Sequence, residues 1–316
     1  MVNYMAKILI TGVAGFIGSN LADALLAQGH EVAGLDDLSQ GLRENIPAGA
    51  RFDQADITDP AIYPLFKGYD AVFHFAAKNC ISDCQLDPVA TVRQNVLGTV
   101  NVFEAARRSG VGKIIYAESS ALYEGSAIYP TPESESAPHS FYALSKSAGR
   151  LFAEGYREFF GLRATALRYF CVYGPRQDYR RTVPPLMSAF ALKLLRGEAP
   201  VIYGDGSKRR DFVYVDDINR FHLQCLTDAR TDGQVYNLGS GKSHSVREIY
   251  TALEAQLHTG IQPRLAADLP GEAQMTWADI SAAQALGWRP EISLEEGLRR
   301  VIAYLRTHVI AAEARQ

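Results

Sequence analysis

Thr11-Gly12-Val13-Ala14-Gly15-Phe16-Ile17-Gly18 places three glycines three residues apart. Before them, Lys7 to Thr11 is an apolar strand pattern. After them, Phe16 to Gln28 carries apolar residues at helical spacing until Gly29 stops the run, and Glu31 to Leu35 forms a second apolar stretch that ends at Asp36. Strand, turn, helix and strand in that order make a βαβ unit, which implies a parallel sheet. Each glycine has a steric reason. A side chain at Gly12 would block the tight turn, one at Gly15 would block the approach of a pyrophosphate, and one at Gly18 would push the helix off the sheet.

Working outward, the alternation continues. Ala71 to Phe75, Lys113 to Ala117 and Arg163 to Leu167 read as strands, with helical segments around Ala90 to Arg108 and Tyr142 to Phe160 between them. The fold expected is α/β, a doubly wound parallel sheet of the Rossmann type. After Gly174-Pro175 the pattern becomes mixed and turn clusters multiply (Gly204-Asp205-Gly206, Gly239-Ser240-Gly241, Pro270-Gly271), which marks a second, smaller mixed α/β domain. The boundaries expected are 1–172 with about 212–240 returning for the first domain, and 173–211 with 241–316 for the second. At 316 residues, 47% hydrophobic and 21% charged, the chain can build such cores. A formal charge of −3 and the lack of a long Lys/Arg run argue against nucleic acid or a membrane surface as partner, so a small molecule is expected. No signal h-region or membrane-length apolar run occurs, and a cytoplasmic location is expected. The four cysteines are too few and scattered for a disulfide scaffold, and Cys80 and Cys84 lack a neighbouring ligand pair, so no metal site is expected.

Context turns the glycine spacing into a cofactor site. The start of the helix, at Phe16 and Ile17, offers free N–H groups and a partial positive charge to phosphates. Asp36 closes the second strand roughly 20 residues on, where a ribose-binding acid belongs. A carboxylate there accepts from both ribose hydroxyls and repels a 2′-phosphate, which favours NAD over NADP. Asp56-Ile57 reads equally as an adenine contact and as a strand-end turn before Pro60.

Tyr142 and Lys146 are one helical turn apart and share a face, with Ser140 after Pro138 as the N-cap. A phenol with a reference pKa of about 10 needs adjacent positive charge to act as a base near neutrality. Lys146 and an oxidised nicotinamide both supply it. The phenolate then takes a proton from a substrate hydroxyl while hydride leaves the same carbon. By itself the pair also suits a solvated helix face. Its position, at the start of the helix expected beside the nicotinamide, selects the catalytic reading.

With these stand Phe75-Ala76-Ala77, Asn95 in Asn-Val-Leu-Gly-Thr, Ser119, Arg168-Tyr169-Phe170, Tyr173-Gly174-Pro175-Arg176 and Arg210-Asp211-Phe212-Val213-Tyr214-Val215-Asp216-Asp217. The set resembles the extended short-chain dehydrogenase/reductases, specifically the sugar-nucleotide epimerases and dehydratases, over almost the whole chain. The resemblance implies that Ser119 is the third catalytic residue and that Ala76, Ala77, Asn95 and Tyr169 belong to the cofactor site. It assigns Ser119, Ser120 and Arg210 to the nucleotide sugar, Arg210 at the diphosphate, and it puts Glu272 at the uridine ribose. Thr276 falls where a small side chain admits an N-acetyl group. The family also implies a homodimer through the helices around Val89 to Arg108 and Tyr142 to Phe160.

Departures narrow the reaction. Ser120 and Ala121 replace the Asp-Glu pair of the 4,6-dehydratases, which argues against 4,6-dehydration. Cys171 stands in place of a substrate-contacting Asn, Glu124 in place of Gly, Leu269 in place of a phosphate-binding Arg, and Lys78 follows the nicotinamide-lining alanines. Glu124, Cys171 and Lys78 are the groups expected to supply a base and an acid for expelling water across C5 and C6 of a C4 ketone; which is base and which acid stays open among them, with Cys171 as the acid and Glu124 assisting as the hypothesis. The chain also resembles the UDP-N-acetylglucosamine 5,6-dehydratases of tunicamycin-type antibiotic biosynthesis, and 5,6-dehydration of a UDP-N-acetylhexosamine is the reaction expected. The alternatives are a UDP-sugar 4-epimerase acting on UDP-N-acetylglucosamine or UDP-glucose, and a non-catalytic NAD-binding regulator.

Overall fold

The computed structural model describes residues 5–181, 183–268 and 273–315. The chain forms two compact units. One comprises Met1–Ala127, Glu133–Tyr169 and Asn219–Asn237; the other comprises Ile128–Pro132, Phe170–Ile218 and Leu238–Gln316. The segment Asn219–Asn237 returns to the first unit.

The first unit is built on β1 (Lys7–Thr11), β2 (Glu31–Asp36), β3 (Arg51–Gln54), β4 (Ala71–His74), β5 (Lys113–Ser119) and β6 (Ala164–Tyr169). With Val235–Leu238 at one edge, the seven strands run in the order Val235–Leu238, β6, β5, β4, β1, β2, β3. β1 pairs in parallel with β2 and β4, and β2–β3, β4–β5 and β5–β6 are parallel as well. The chain therefore winds outward from β1 through β3 and then restarts at β4 on the other side of β1. That reversal leaves a crevice at the carboxyl ends of β1 and β4, where open α/β sheets take their ligands. Helices cover both faces, so the central strands are buried nearly throughout: four of five residues of β1 and all of β4 and β6 are buried. Leu9, Leu35, Val72, Phe103, Ile114 and Ala166 belong to one continuous core.

The Phe16–Ala27 helix follows the glycine turn, and Gly29, at φ 85°, lets the chain leave it. The Phe141–Phe160 helix is capped by Ser140, whose hydroxyl oxygen accepts from Ala143 N at 3.1 Å. The helix read over Ala90 to Arg108 is less regular than its apolar spacing suggests. It consists of Pro88–Val92, a widened π turn at Arg93–Leu97, and Gly98–Ser109. β3 and Val235–Leu238 are edge strands without an apolar run, and the sequence reading omits both.

The second unit carries a three-stranded sheet in the order Ser243–Ser245, Arg209–Tyr214, Cys171–Tyr173, antiparallel at the first pairing and parallel at the second. Val201–Tyr203 and Arg264–Ala266 form a separate parallel pair. Leu186–Leu195, Val246–Leu257 and Leu294–Leu305 are its main helices. Fully buried Asp211 holds this unit's turns together, accepting from Ser240 N (2.6 Å), Gly241 N (3.1 Å) and Ala278 N (3.1 Å). The architecture is the Rossmann-type sheet plus a smaller mixed unit expected from the sequence. No helix among the described residues is long and apolar enough to cross a membrane.

Candidate cofactor and catalytic site

Gly12 turns the chain off β1 with φ 79°, and its N–H donates to Leu35 O at 2.7 Å. A Cβ there would sit 2.7 Å from Ala76 N, so only glycine allows the two loops to touch. At Gly18 the nearest obstacle is the Gly12 carbonyl oxygen in the turn itself, rather than the sheet expected from the sequence. Gly15 differs from both. A Cβ on it would meet only Gly12 O, at 3.3 Å, so the space above it is open. As N-cap it brings no side chain, and the first amide to bond back is Ser19 N, to Gly15 O at 3.1 Å. The amides of Phe16, Ile17 and Gly18 thus begin the helix without intrahelical acceptors, an arrangement that fits a pyrophosphate.

Asp36 ends β2, buried, with Oδ2 accepting from Ala14 N (3.0 Å) and Oδ1 from Leu38 N (2.9 Å). Burial raises its pKa above the ordinary carboxylate value, and these two amides oppose the rise. Each oxygen keeps a lone pair for a ribose hydroxyl. Asp56 Oδ1 accepts from Thr58 N at 2.8 Å in the turn before Pro60, and Ile57 is buried against Gly98.

Ala76, Ala77 and Lys78 leave the end of β4 and are held at both ends. Ala76 N donates to Thr11 O (3.1 Å), while Asn95 Oδ1 accepts from Lys78 N (2.8 Å) and Asn95 Nδ2 donates to Lys78 O (2.9 Å). The other Nδ2 proton goes to Ser145 Oγ (2.9 Å), and Ser145 Oγ donates to Tyr142 O (2.7 Å). Both donors of Asn95 are therefore spent on the protein, which makes it a clamp between the cofactor loop and the Tyr142 helix. Behind it lies a chain that the sequence reading missed. His74 bonds Thr11 Oγ1 through Nδ1 (2.7 Å) and Thr99 Oγ1 through Nε2 (2.9 Å), and Thr99 Oγ1 donates to Asn95 O (2.6 Å). Because the Thr99 proton goes to Asn95, Nε2 must carry the ring proton and Nδ1 accepts from Thr11. Burial drives the His74 pKa down to about 3, so the imidazole stays neutral.

Lys146 Nζ donates to Ala117 O at 3.1 Å, two residues before Ser119 at the end of β5. That bond draws the Tyr142 face of the helix to the end of the strand. Burial lowers the Lys146 pKa to about 8, opposed by the negative charge of Glu118 and by Cys84. Ser119 Oγ accepts from Ala121 N (3.2 Å) and caps the short turn Ser120–Tyr123, which leaves its hydroxyl proton for another acceptor. Tyr169 faces inward: its hydroxyl bonds His222 Nε2 at 2.7 Å and its ring packs near Phe75. Arg168, fully buried, is another residue whose role the sequence reading did not identify. Nε pairs with Glu118 Oε2 (2.7 Å), and Nη1 donates to Tyr123 OH and Glu133 O, both at 2.8 Å. A charge inside an otherwise apolar strand was the available signal. Glu124, expected near the reacting carbon, instead accepts from Ser140 N (2.8 Å) with Oε2 and from the Ser140 hydroxyl (2.9 Å) with Oε1.

Three of the expected substrate residues meet in the second unit. The Cys171 thiol hydrogen-bonds the Thr276 side chain, with Arg210 and Asp211 near enough to act on its charge, and burial pushes it up to about 11. Thr276 N donates to Arg209 O (3.0 Å), which fixes its backbone beside the Arg209–Tyr214 strand. Arg210 Nη1 donates to the Arg209 carbonyl at 3.0 Å. Leu269 and Glu272 lie outside the described residues.

Residues 8–239 match the NAD dependent epimerase/dehydratase family. The UDP-glucose 4-epimerase of Mycolicibacterium smegmatis is 36% identical over 310 residues, which span 95% of this chain and 98% of the relative. The solved UDP-glucose 4-epimerase of Thermotoga maritima, with UDP-glucose, is 34% identical at a TM-score of 0.92, covering 95% of this chain and 99% of that one. A UDP-N-acetylglucosamine 4-epimerase from Methanobrevibacter ruminantium M1, in complex with UDP-N-acetylmuramic acid, is 30% identical at a TM-score of 0.93, covering 96% and 99%. The glycine turn, the open helix start and the Tyr142–Lys146 helix thus occur in a chain that belongs to the NAD dependent epimerase/dehydratase family and is an NAD-dependent nucleotide-sugar enzyme.

Proposed function

We propose that this enzyme is a UDP-sugar 4-epimerase acting on UDP-N-acetylglucosamine or UDP-glucose. One observation carries the choice over the 5,6-dehydration expected from the sequence. Glu124 is committed to the Ser140 cap by three hydrogen bonds, which leave a single lone pair, on Oε1, for elimination chemistry. The names of the relatives above point the same way. Epimerisation needs only Ser119, Tyr142, Lys146 and the cofactor.

NAD, where bound, would supply a hydride acceptor and donor for C4 of the sugar. The protein supplies everything else. Ser119 donates its hydroxyl proton toward the sugar O4, and Tyr142 takes the O4 proton as C4 becomes a carbonyl. Lys146, charged below a pKa of about 8, makes the phenolate accessible near neutrality. After the ketose has turned to present its opposite face, Tyr142 returns the proton to O4, and the net change is inversion at C4. The Phe16, Ile17 and Gly18 amides would hold the pyrophosphate of the cofactor and Asp36 its ribose. Arg210 takes the sugar diphosphate, and the short Thr276 side chain leaves room for an N-acetyl group. A homodimer is part of the same reading. Val89, Val92 and Leu97 on one segment and Leu144, Leu151 and Phe152 on the Tyr142 helix are apolar and exposed.

The second reading, UDP-N-acetylhexosamine 5,6-dehydration, is favoured by the Cys171 thiol, which its burial keeps protonated and able to donate to a departing hydroxyl. Incubation with UDP-N-acetylglucosamine separates the two. An epimer of unchanged mass supports the first, and loss of one water supports the second. If water is lost, Cys171→Ala should abolish it and leave NAD binding intact.

A further inference from the structure

We infer that Glu124 is a positioning residue for Tyr142, tying the turn that follows Ser119 to the start of the helix that carries the tyrosine. The inference rests on the reading of Tyr142 as the acid–base group. Ser119 caps the turn Ser120–Tyr123, and Glu124 is the next residue. Its Oε2 accepts from Ser140 N (2.8 Å) and His139 N (3.3 Å), and its Oε1 accepts from the Ser140 hydroxyl (2.9 Å). That same hydroxyl oxygen receives Ala143 N at 3.1 Å and so caps the helix. Tyr142 therefore lies between two residues, Ser140 and Ala143, whose positions pass through one hydroxyl that Glu124 orients.

The backbone brings the two segments together but stops short of the helix. Ala137 N donates to Leu122 O (2.7 Å) and Gly125 N to Ala137 O (3.0 Å). Beyond Ala137 comes Pro138, which has no N–H to continue the pairing. The carboxylate is what spans that gap. From the other side, Gln85 Oε1 accepts from Phe141 N at 2.9 Å, so the helix start has two side-chain anchors, and Glu124 makes three of the four bonds. Without it the Ser140 hydroxyl regains rotamer freedom and two amides lose their acceptor. A displacement of about 1 Å at a reacting group can cost on the order of 100-fold in rate.

The test compares Glu124→Ala, Glu124→Gln and Glu124→Asp with the parent and with Tyr142→Phe, using UDP-glucose or UDP-N-acetylglucosamine. Glutamine keeps the reach and loses the charge, whereas aspartate keeps the charge and loses the reach. Positioning requires kcat to fall about 10- to 100-fold in Glu124→Ala and Glu124→Asp, with KM within about threefold, and glutamine to restore most of it. Amide hydrogen exchange across residues 139–143 should rise in the alanine and aspartate variants and stay near the parent rate with glutamine. Parental kcat in Glu124→Ala, or an active aspartate beside a dead glutamine, overturns the inference, the second pattern being that of a proton carrier. A thermal scan of each variant shows which ones are folded, and the glutamine–aspartate contrast still decides if alanine is not. An active Tyr142→Phe would instead sink the catalytic reading itself.

Discussion

Replacing Lys146 with Met keeps an unbranched apolar stem in the helix and removes one buried charge. Tyr142 and Lys146 lie one turn apart, roughly 6 Å between Cβ atoms. At that separation and an effective dielectric of about 20, a unit charge is worth about 2.8 kcal/mol to a phenolate, or about two pKa units. A free phenol near pKa 10 is about 0.1% ionised at pH 7, and a shift of two units raises that to about 10%. Turnover of Lys146→Met should therefore be about 100-fold slower at pH 7. The deficit should also shrink as the pH rises, for two reasons. The unaided phenol begins to ionise by itself, and the parent sheds its own lysine charge above about pH 8. The assay is kcat for the nucleotide-sugar interconversion from pH 6.5 to 10. A ratio that stays constant over the range would falsify the electrostatic role and make Lys146 a binding residue. A ratio near one at pH 7 would remove it from the chemistry altogether.

The same lysine leaves a mark on stability. Its folded pKa of about 8 lies below the ordinary 10.5, so between those values the unfolded chain holds a proton that the folded chain has released. Stability relative to Lys146→Met should then rise with pH across that window, and urea titrations at pH 7.5 and 10 that differ by the same amount would refute it. Gly12→Ala forces a side chain into φ 79° with its Cβ 2.7 Å from Ala76 N, so it should cost on the order of 1–3 kcal/mol and abolish NAD binding. An unshifted thermal midpoint together with normal NAD calorimetry would count against that steric account. Asp36→Asn loses the charge that repels a 2′-phosphate and gains an amide facing the N–H of Ala14 or Leu38. The preference for NAD over NADP should fall at least about tenfold, the size of one lost charged hydrogen bond, as measured by direct titration of both.

What could be read from the sequence was local. β1, the glycine turn, the Phe16–Ala27 helix and β2 are contiguous, and each announces itself by period or by a residue with special backbone freedom. Tyr142 and Lys146 needed only the helical repeat. What could not be read depends on partners far along the chain. The π turn that buries Asn95 is braced through Thr99 and His74 to Thr11, and the oxygens of Glu124 are taken by residues 139 and 140. A motif gives the type of polar group but not how many of its lone pairs and protons the protein has already claimed. Asp36 keeps a lone pair on each oxygen, Ser119 keeps its proton, and the bond from Lys146 to Ala117 uses one of its three. Asn95 has spent both donors, Glu124 has engaged both oxygens, and Tyr169 has given its hydroxyl to His222. The first group can still exchange something with a ligand. The second has less to offer: Glu124 takes three protons at the Ser140 cap, two on Oε2 and one on Oε1, which is what an anchor there requires.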